Sequence, residues 1–224
     1  MEFIGTRYLA TNSGFRAFLK KKIMRYFLLL LLPLLIGCSK LQTIEESDAE
    51  GYRTVYNQNK ETGLWEGSLE RYTPDATLIE SATYENGVLQ GERRLFREDG
   101  SLETIERYVD GKFEGAFETF YPGGEAQLYG VYQNDVLAGP VVRYYESGDT
   151  MEVVQFENNQ ESGPFIEYYD GGNLKAKGFY REGDNEDGPL ELYDESGELE
   201  RRMNCNMGIC RTVWLRDSVI TVVE

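Results

Sequence analysis

Residues 84–107 read Y-E-N-G-V-L-Q-G-E-R-R-L-F-R-E-D-G-S-L-E-T-I-E-R, and Tyr108 then starts the same phrase again. Tyr84, Tyr108, Tyr132, Phe156 and Tyr180 fall 24 residues apart. A glycine seven residues into each unit recurs as Gly67, Gly91, Gly115, Gly139 and Gly163, then as Gly188 after a one-residue insertion. Five residues beyond each glycine stands a second aromatic: Tyr72, Phe96, Phe120, Tyr144, Tyr168 and Tyr193. Four further on comes a small residue: Ala76, Gly100, Gly124, Gly148, Gly172 and Gly197. A fixed period of this size is the mark of a repeat architecture.

Each unit holds two short runs suited to strands, separated by turn signals. Asn86-Gly87, Asp110-Gly111, Gly123-Gly124 and Gly171-Gly172 tolerate the positive φ that tight hairpin turns need. Glu98-Asp99-Gly100, Glu146-Ser147-Gly148 and Glu195-Ser196-Gly197 are turn clusters of the same kind. Connections this short join only antiparallel neighbours. The expected fold is therefore all-β, an elongated antiparallel meander of about six 24-residue hairpin repeats spanning residues 57–204. Stacking the units aligns the Tyr84–Tyr180 series in one column and the Tyr72–Tyr193 series in another. Aromatics bury large areas on a pleated surface, so the two columns are the expected core. Pro140, Pro164 and Pro189 follow the repeat glycines, where strands tolerate proline. Val141, Phe165 and Leu190 beside them suggest that a second face is partly apolar in the later units. That face is either covered, by another copy or a partner, or left as an exposed sheet.

The pattern G-x-x-x-x-[FY]-x-x-x-G, followed by a strand, an aromatic and the next glycine, resembles the variant MORN repeat found in bacterial antitoxin-like repeat proteins. The departures are Lys60 in place of an aromatic, Ala76 in place of a glycine, and Asp135 and Asn159 in place of turn glycines. The insertion in the sixth unit is another. The resemblance implies an open twisted sheet with a scaffold or binding role. It does not imply catalysis.

Before the repeats, residues 1–37 read as an export signal with an N-terminal extension. Arg25 precedes the apolar run Y-F-L-L-L-L-L-P-L-L-I of residues 26–36, which is too short for a membrane span of about 20 residues. Translation is expected to begin at Met24. The run ends in Leu35-Ile36-Gly37-Cys38, which resembles a bacterial lipobox. That resemblance implies cleavage after Gly37, lipid on Cys38, and anchoring by several acyl chains. Ser39, which is not an aspartate, favours the outer membrane by analogy with enterobacterial sorting. Residues 38–56 are polar and acidic and are expected to be a flexible tether.

At the other end, residues 205–224 read as a capping segment that protects the last strand. Cys205 and Cys210 are expected to form a disulfide across a hairpin turn in an exported chain. The acidic run of residues 181–188 lacks the spacing of a calcium loop and reads as a solvated turn.

Net charge is −16, and the first 37 residues carry six basic groups against one acid. Removing that +5 from −16 leaves about −21 on the chain from Cys38. Such a balance argues against nucleic acid and anionic lipid headgroups as ligands. The chain has no histidine, so no Ser-His or Cys-His pair exists, and no phosphate-cradling motif occurs. No enzyme activity, cofactor, metal or small-molecule substrate is expected. The function expected is a lipid-anchored envelope module that binds a protein partner. The alternative is an antitoxin or immunity-type protein that neutralises a partner toxin.

Overall fold

The computed structural model describes residues 40–216. The export signal, Gly37 and Cys38 lie outside the described residues, as does the chain beyond residue 216. Described residues form nineteen strands in one sheet and no helix. The first are β1 (Leu41–Ser47), β2 (Arg53–Asn59), β3 (Trp65–Tyr72), β4 (Leu78–Glu85), β5 (Val88–Leu89) and β6 (Gly91–Phe96). There follow β7 (Leu102–Val109), β8 (Lys112–Phe113), β9 (Gly115–Phe120), β10 (Ala126–Gln133), β11 (Val136–Leu137) and β12 (Gly139–Tyr144). The last are β13 (Thr150–Glu157), β14 (Gln160–Tyr168), β15 (Leu174–Arg181), β16 (Asn185–Glu186), β17 (Gly188–Tyr193), β18 (Leu199–Asn206) and β19 (Ile209–Leu215). Every pairing is antiparallel and joins consecutive strands or strands separated only by a two-residue one, as β4 with β6 and β7 with β9. β1 pairs with β2 and β19 with β18, so the meander is open at both ends.

Two turn types alternate. In the first, the residue before the turn accepts an amide three residues on, which sits at positive φ, as in Gly100 N to Arg97 O at 2.9 Å. The next residue's carbonyl bonds back, Arg97 N to Ser101 O at 2.9 Å, giving a type I turn closed by a bulge. Ala76 holds this place in one unit at φ 63°, a conformation that costs a side chain with a Cβ about 1 kcal/mol or more. In the second type both central residues have positive φ: Asn86-Gly87, Asp110-Gly111, Asn134-Asp135, Asn158-Asn159, Glu182-Gly183 and Met207-Gly208. Asp135 and Asn159, odd by sequence, fit because Asx side chains tolerate this region. Their Oδ1 atoms also accept amides of the preceding unit, from Phe113 at 2.8 Å and Leu137 at 2.6 Å.

Three sequence expectations are corrected. Residues 41–47 are not part of a tether. They are β1, paired along its whole length from Leu41↔Asn59 to Ser47↔Arg53. Polar side chains match across that hairpin, Gln42 with Gln58 and Thr43 with Asn57. Second, the two aromatic columns do not share a core. Tyr84 lies two residues from buried Ala82, on the same face, whereas Tyr193 lies three from buried Leu190, on the other. Contacts agree: the Tyr193 hydroxyl donates to Glu191 at 2.7 Å, and Tyr180 stacks on Phe165 with centroids 4.1 Å apart. Third, Val141, Phe165 and Leu190 are not the second face but the core itself, with Leu69, Ala82, Val154, Ala176 and Cys205.

The core is a row running across the sheet. It passes through Leu69↔Ala82, then Arg93↔Glu106, Phe117↔Gly130, Val141↔Val154 and Phe165↔Gly178, to Leu190↔Met203. At Gly178 a Cβ would sit 2.8 Å from the Phe165 ring, so the missing side chain is the space the ring fills. Beside this row run Tyr84, Tyr108, Tyr132, Phe156 and Tyr180, partly buried. Residues of the two-residue strands lie between them, and Phe113 touches both Tyr108 (4.5 Å) and Tyr132 (4.9 Å).

Candidate functional site

The side chains between the core positions form the opposite, outer face. One row can be followed strand by strand: Arg94↔Ile105, Ile105↔Glu118, Glu118↔Tyr129, Tyr129↔Val142, Val142↔Val153, Val153↔Ile166, Ile166↔Lys177 and Lys177↔Glu191. Four consecutive members, Tyr129 to Ile166, are apolar. Tyr129 and Ile166 are more than a third exposed. The adjacent row adds Val131, Pro140, Pro164 and Phe179, with Pro164 opposite Phe179, and Phe179 is 42% exposed. β-branched side chains here suit a pleated surface, and the prolines stand near a strand start (Pro140) and a bulge (Pro164), where no ladder donor is required.

Charge frames this patch. Toward β6, Arg107 bridges Glu92 (3.4 Å) and Glu118 (3.0 Å), and Arg94 pairs with Glu92. Toward β18, Glu191 receives Lys177 (2.8 Å) and Arg202 (3.1 Å). Those cations and the Tyr193 hydroxyl hold the Glu191 carboxyl down at about 2. The second aromatic column borders the patch, with Tyr168 beside Val153, Asp149 and Thr150 in a shallow groove. Contiguous exposed apolar surface inside a charged rim marks an interaction surface rather than a reaction centre.

The core face offers a different feature. A hollow of about 240 Å³ has Phe165, Ala176, Leu190 and Leu192 as its floor and Glu167, Tyr169, Tyr180, Glu186 and Glu200 at its walls. Burial, with Glu152, Glu167, Glu161 and Glu186 nearby, pushes the Tyr180 phenol well above its usual range. Glu161 and Glu186 stand where earlier units place Leu89, Phe113 and Leu137 opposite the aromatic column. Glu167 is already matched by Lys175 at 2.7 Å.

Of the sequence-derived site residues, Cys205 and Cys210 form the expected disulfide, directly opposite each other in β18 and β19. Tyr72, Phe96, Phe120, Tyr144, Tyr168 and Tyr193 border the outer face. Tyr84, Tyr108, Tyr132, Phe156 and Tyr180 flank the core. A third column escaped notice although it keeps the same spacing. The hydroxyls of Tyr121, Tyr145 and Tyr169 donate to the carbonyls of Tyr144, Tyr168 and Tyr193 in the next unit, at 2.7–2.9 Å. Arg97 does the same toward Phe120. At the last repeat Asp194 takes the place and receives Arg216 at 2.6 Å.

Comparison with known proteins agrees with this geometry at the level of the repeat. No curated protein matches the chain. Among solved structures, a porin-like protein from Bacteroides uniformis aligns over 77% of this chain and 92% of that one, at 8% identity and a TM-score of 0.22. The family model for the MORN repeat variant matches residues 161–182, the span from β14 into the turn after β15. The other units stand in phase with that matched stretch at the same spacing.

Proposed function

We propose that this protein is a lipid-anchored, non-catalytic scaffold of the bacterial cell envelope that holds a protein partner on the outer face of its sheet. One observation carries the reading: two mainly apolar rows, Tyr129 to Ile166 and Val131 to Phe179, in which Tyr129, Pro140, Pro164, Ile166 and Phe179 are exposed, in a chain of net charge −16. Apolar surface held open in so acidic a molecule is what a partner would cover. The lipobox at Cys38 supports the anchoring part, and the absence of histidine supports a role without acid–base chemistry.

A photo-crosslinking residue at position 166, introduced into the full-length chain in intact cells, tests the binding part. The expected result is a specific protein adduct that is absent when the crosslinker replaces Glu195, an exposed turn residue. Adducts at neither position would end the proposal. In the same cells, Cys38→Ala is expected to move the protein from the membrane fraction to the soluble one.

A further inference from the structure

The outer face is self-complementary, and we propose that its occupant is a second copy of this chain, packed face to face about a twofold axis lying along the strands between β12 and β13. This rests on the reading of the outer face as a docking surface and names its partner. The inner six members of the row are chemically symmetric about that line. Outward from it stand Val142 and Val153, then Tyr129 and Ile166, then Glu118 and Lys177. A twofold axis along the strands keeps each residue's height and reverses its order across the sheet. It therefore sets Val142 on Val153 of the second copy, Tyr129 on Ile166, and Glu118 on Lys177.

The adjacent row obeys the same rule. Val131 meets Pro164, Pro140 meets Gln155, and Ala116 meets Phe179. Large side chains thus meet small or flat ones, as interdigitating sheet faces require. The opposite charges fall at both rims of the apolar patch, where they set register and exclude other alignments. A foreign partner has no need of a pattern that reads alike from both sides.

Charge explains why copies can approach here in spite of their shared sign. Around the patch the nearest charges are three ion pairs within the chain, Arg94 with Glu92, Arg107 with Glu118 and Lys177 with Glu191, which neutralise one another locally within a chain of −16. Farther out, Arg94 and Arg202 are each held by a glutamate of their own chain, Glu92 and Glu191. Sheet twist carries these outer strands apart across a face-to-face contact.

Charge reversal gives the test. Mature, lipidated protein bearing two different tags is co-expressed, extracted in mild detergent and purified through one tag. Wild-type chains are expected to co-purify. Glu118→Lys sets lysine against lysine at both rims, and Lys177→Glu sets glutamate against glutamate, so each variant alone is expected to lose at least about tenfold in co-purification. Mixed, the two restore opposite charges at both rims and are expected to regain the wild-type level. Melting curves of the single variants separate loss of pairing from loss of fold. Wild-type tags that do not co-purify, or reversals that neither weaken pairing alone nor rescue each other, overturn the proposal. In that event a position-166 adduct to a different protein leaves the outer-face reading standing. No adduct at all removes both.

Discussion

The core face uses different chemistry in its two halves. Between β12 and β17 the side chains of the central row are Val141, Val154, Phe165 and Leu190, all under 8% exposed, with Gly178 among them. Between β6 and β7 the same row is Arg93 and Glu106. The guanidinium there joins Glu80 at 2.8 Å and Glu106 at 3.0 Å, and Tyr108 donates to Glu106 at 3.0 Å. Burial and that carboxylate push the Tyr108 phenol up to about 12. The backbone largely ignores the exchange: the bulged turns recur in both halves, and the departures, the unbroken nine-residue β14 and the longer turn between Arg181 and Asn185, lie away from the central row. What the repeat demands is turn chemistry and alternation. The filling of the central row is free, provided buried polar groups find partners.

The largest break in this comparison is expected from Phe165→Ala. The ring is 3% exposed, packs with Val154, Ala176 and Leu190, and lies against Gly178, which offers nothing to collapse into the space. A loss of about 3–5 kcal/mol should appear in urea unfolding, with early proteolysis in β12–β17. A smaller effect is expected from Arg93→Met. It leaves the carboxylates of Glu80 and Glu106 without their cation, and because the arginine is partly exposed the cost should be about 1–3 kcal/mol. Replacing Glu80, Arg93 and Glu106 together by leucine, methionine and leucine should recover most of that loss. If the triple variant unfolds as readily as Arg93→Met, the ion cluster is required for the fold and the two halves are not equivalent.

The smallest effect is expected at Glu161, the carboxylate in the aromatic column. Burial, with Asp184 nearby, raises its pKa above the ordinary glutamate value. The folded chain therefore holds this proton more tightly than the unfolded chain, and stability is lost as pH rises through and above that ordinary value, near 4.5. Glu161→Gln should melt with wild type at pH 3.5 and above it at pH 7. Coincident melts at both values would show that this carboxylate is fully hydrated in the fold.

The period made the turns legible, and the turns made the meander legible, since Asn-Gly and Asp-Gly specify backbone torsions directly. The core was not legible from the aromatics, because a fixed spacing along the chain says nothing about the parity of an offset within a strand. Tyr84 and Phe96 belong to one unit yet point to opposite faces. β1 was hidden by composition. Its polar side chains suggest a linker, but backbone ladders form regardless of side-chain polarity, and the one clue was Asp48 and Gly51, which repeat the bulged turn seen at Arg97 and Gly100. The outer-face rows were half visible: the prolines pointed to an apolar second face but were credited with the wrong neighbours.

The turns with paired positive φ have a consequence for the order in which the chain acquires its structure. Each docks on the unit before it: Gly87 N on Trp65 O, Gly111 N on Leu89 O, Asp135 N on Phe113 O, Asn159 N on Leu137 O. The acceptors always lie upstream, some 22 residues back along the chain. A chain that emerges N-terminus first therefore meets, at every step, a template already laid down by the residues before it. No strand waits for a distant partner, because each pairs with strands close to it in sequence. Assembly can keep pace with the emerging chain, and the growing edge at any moment is the one about to receive the next hairpin.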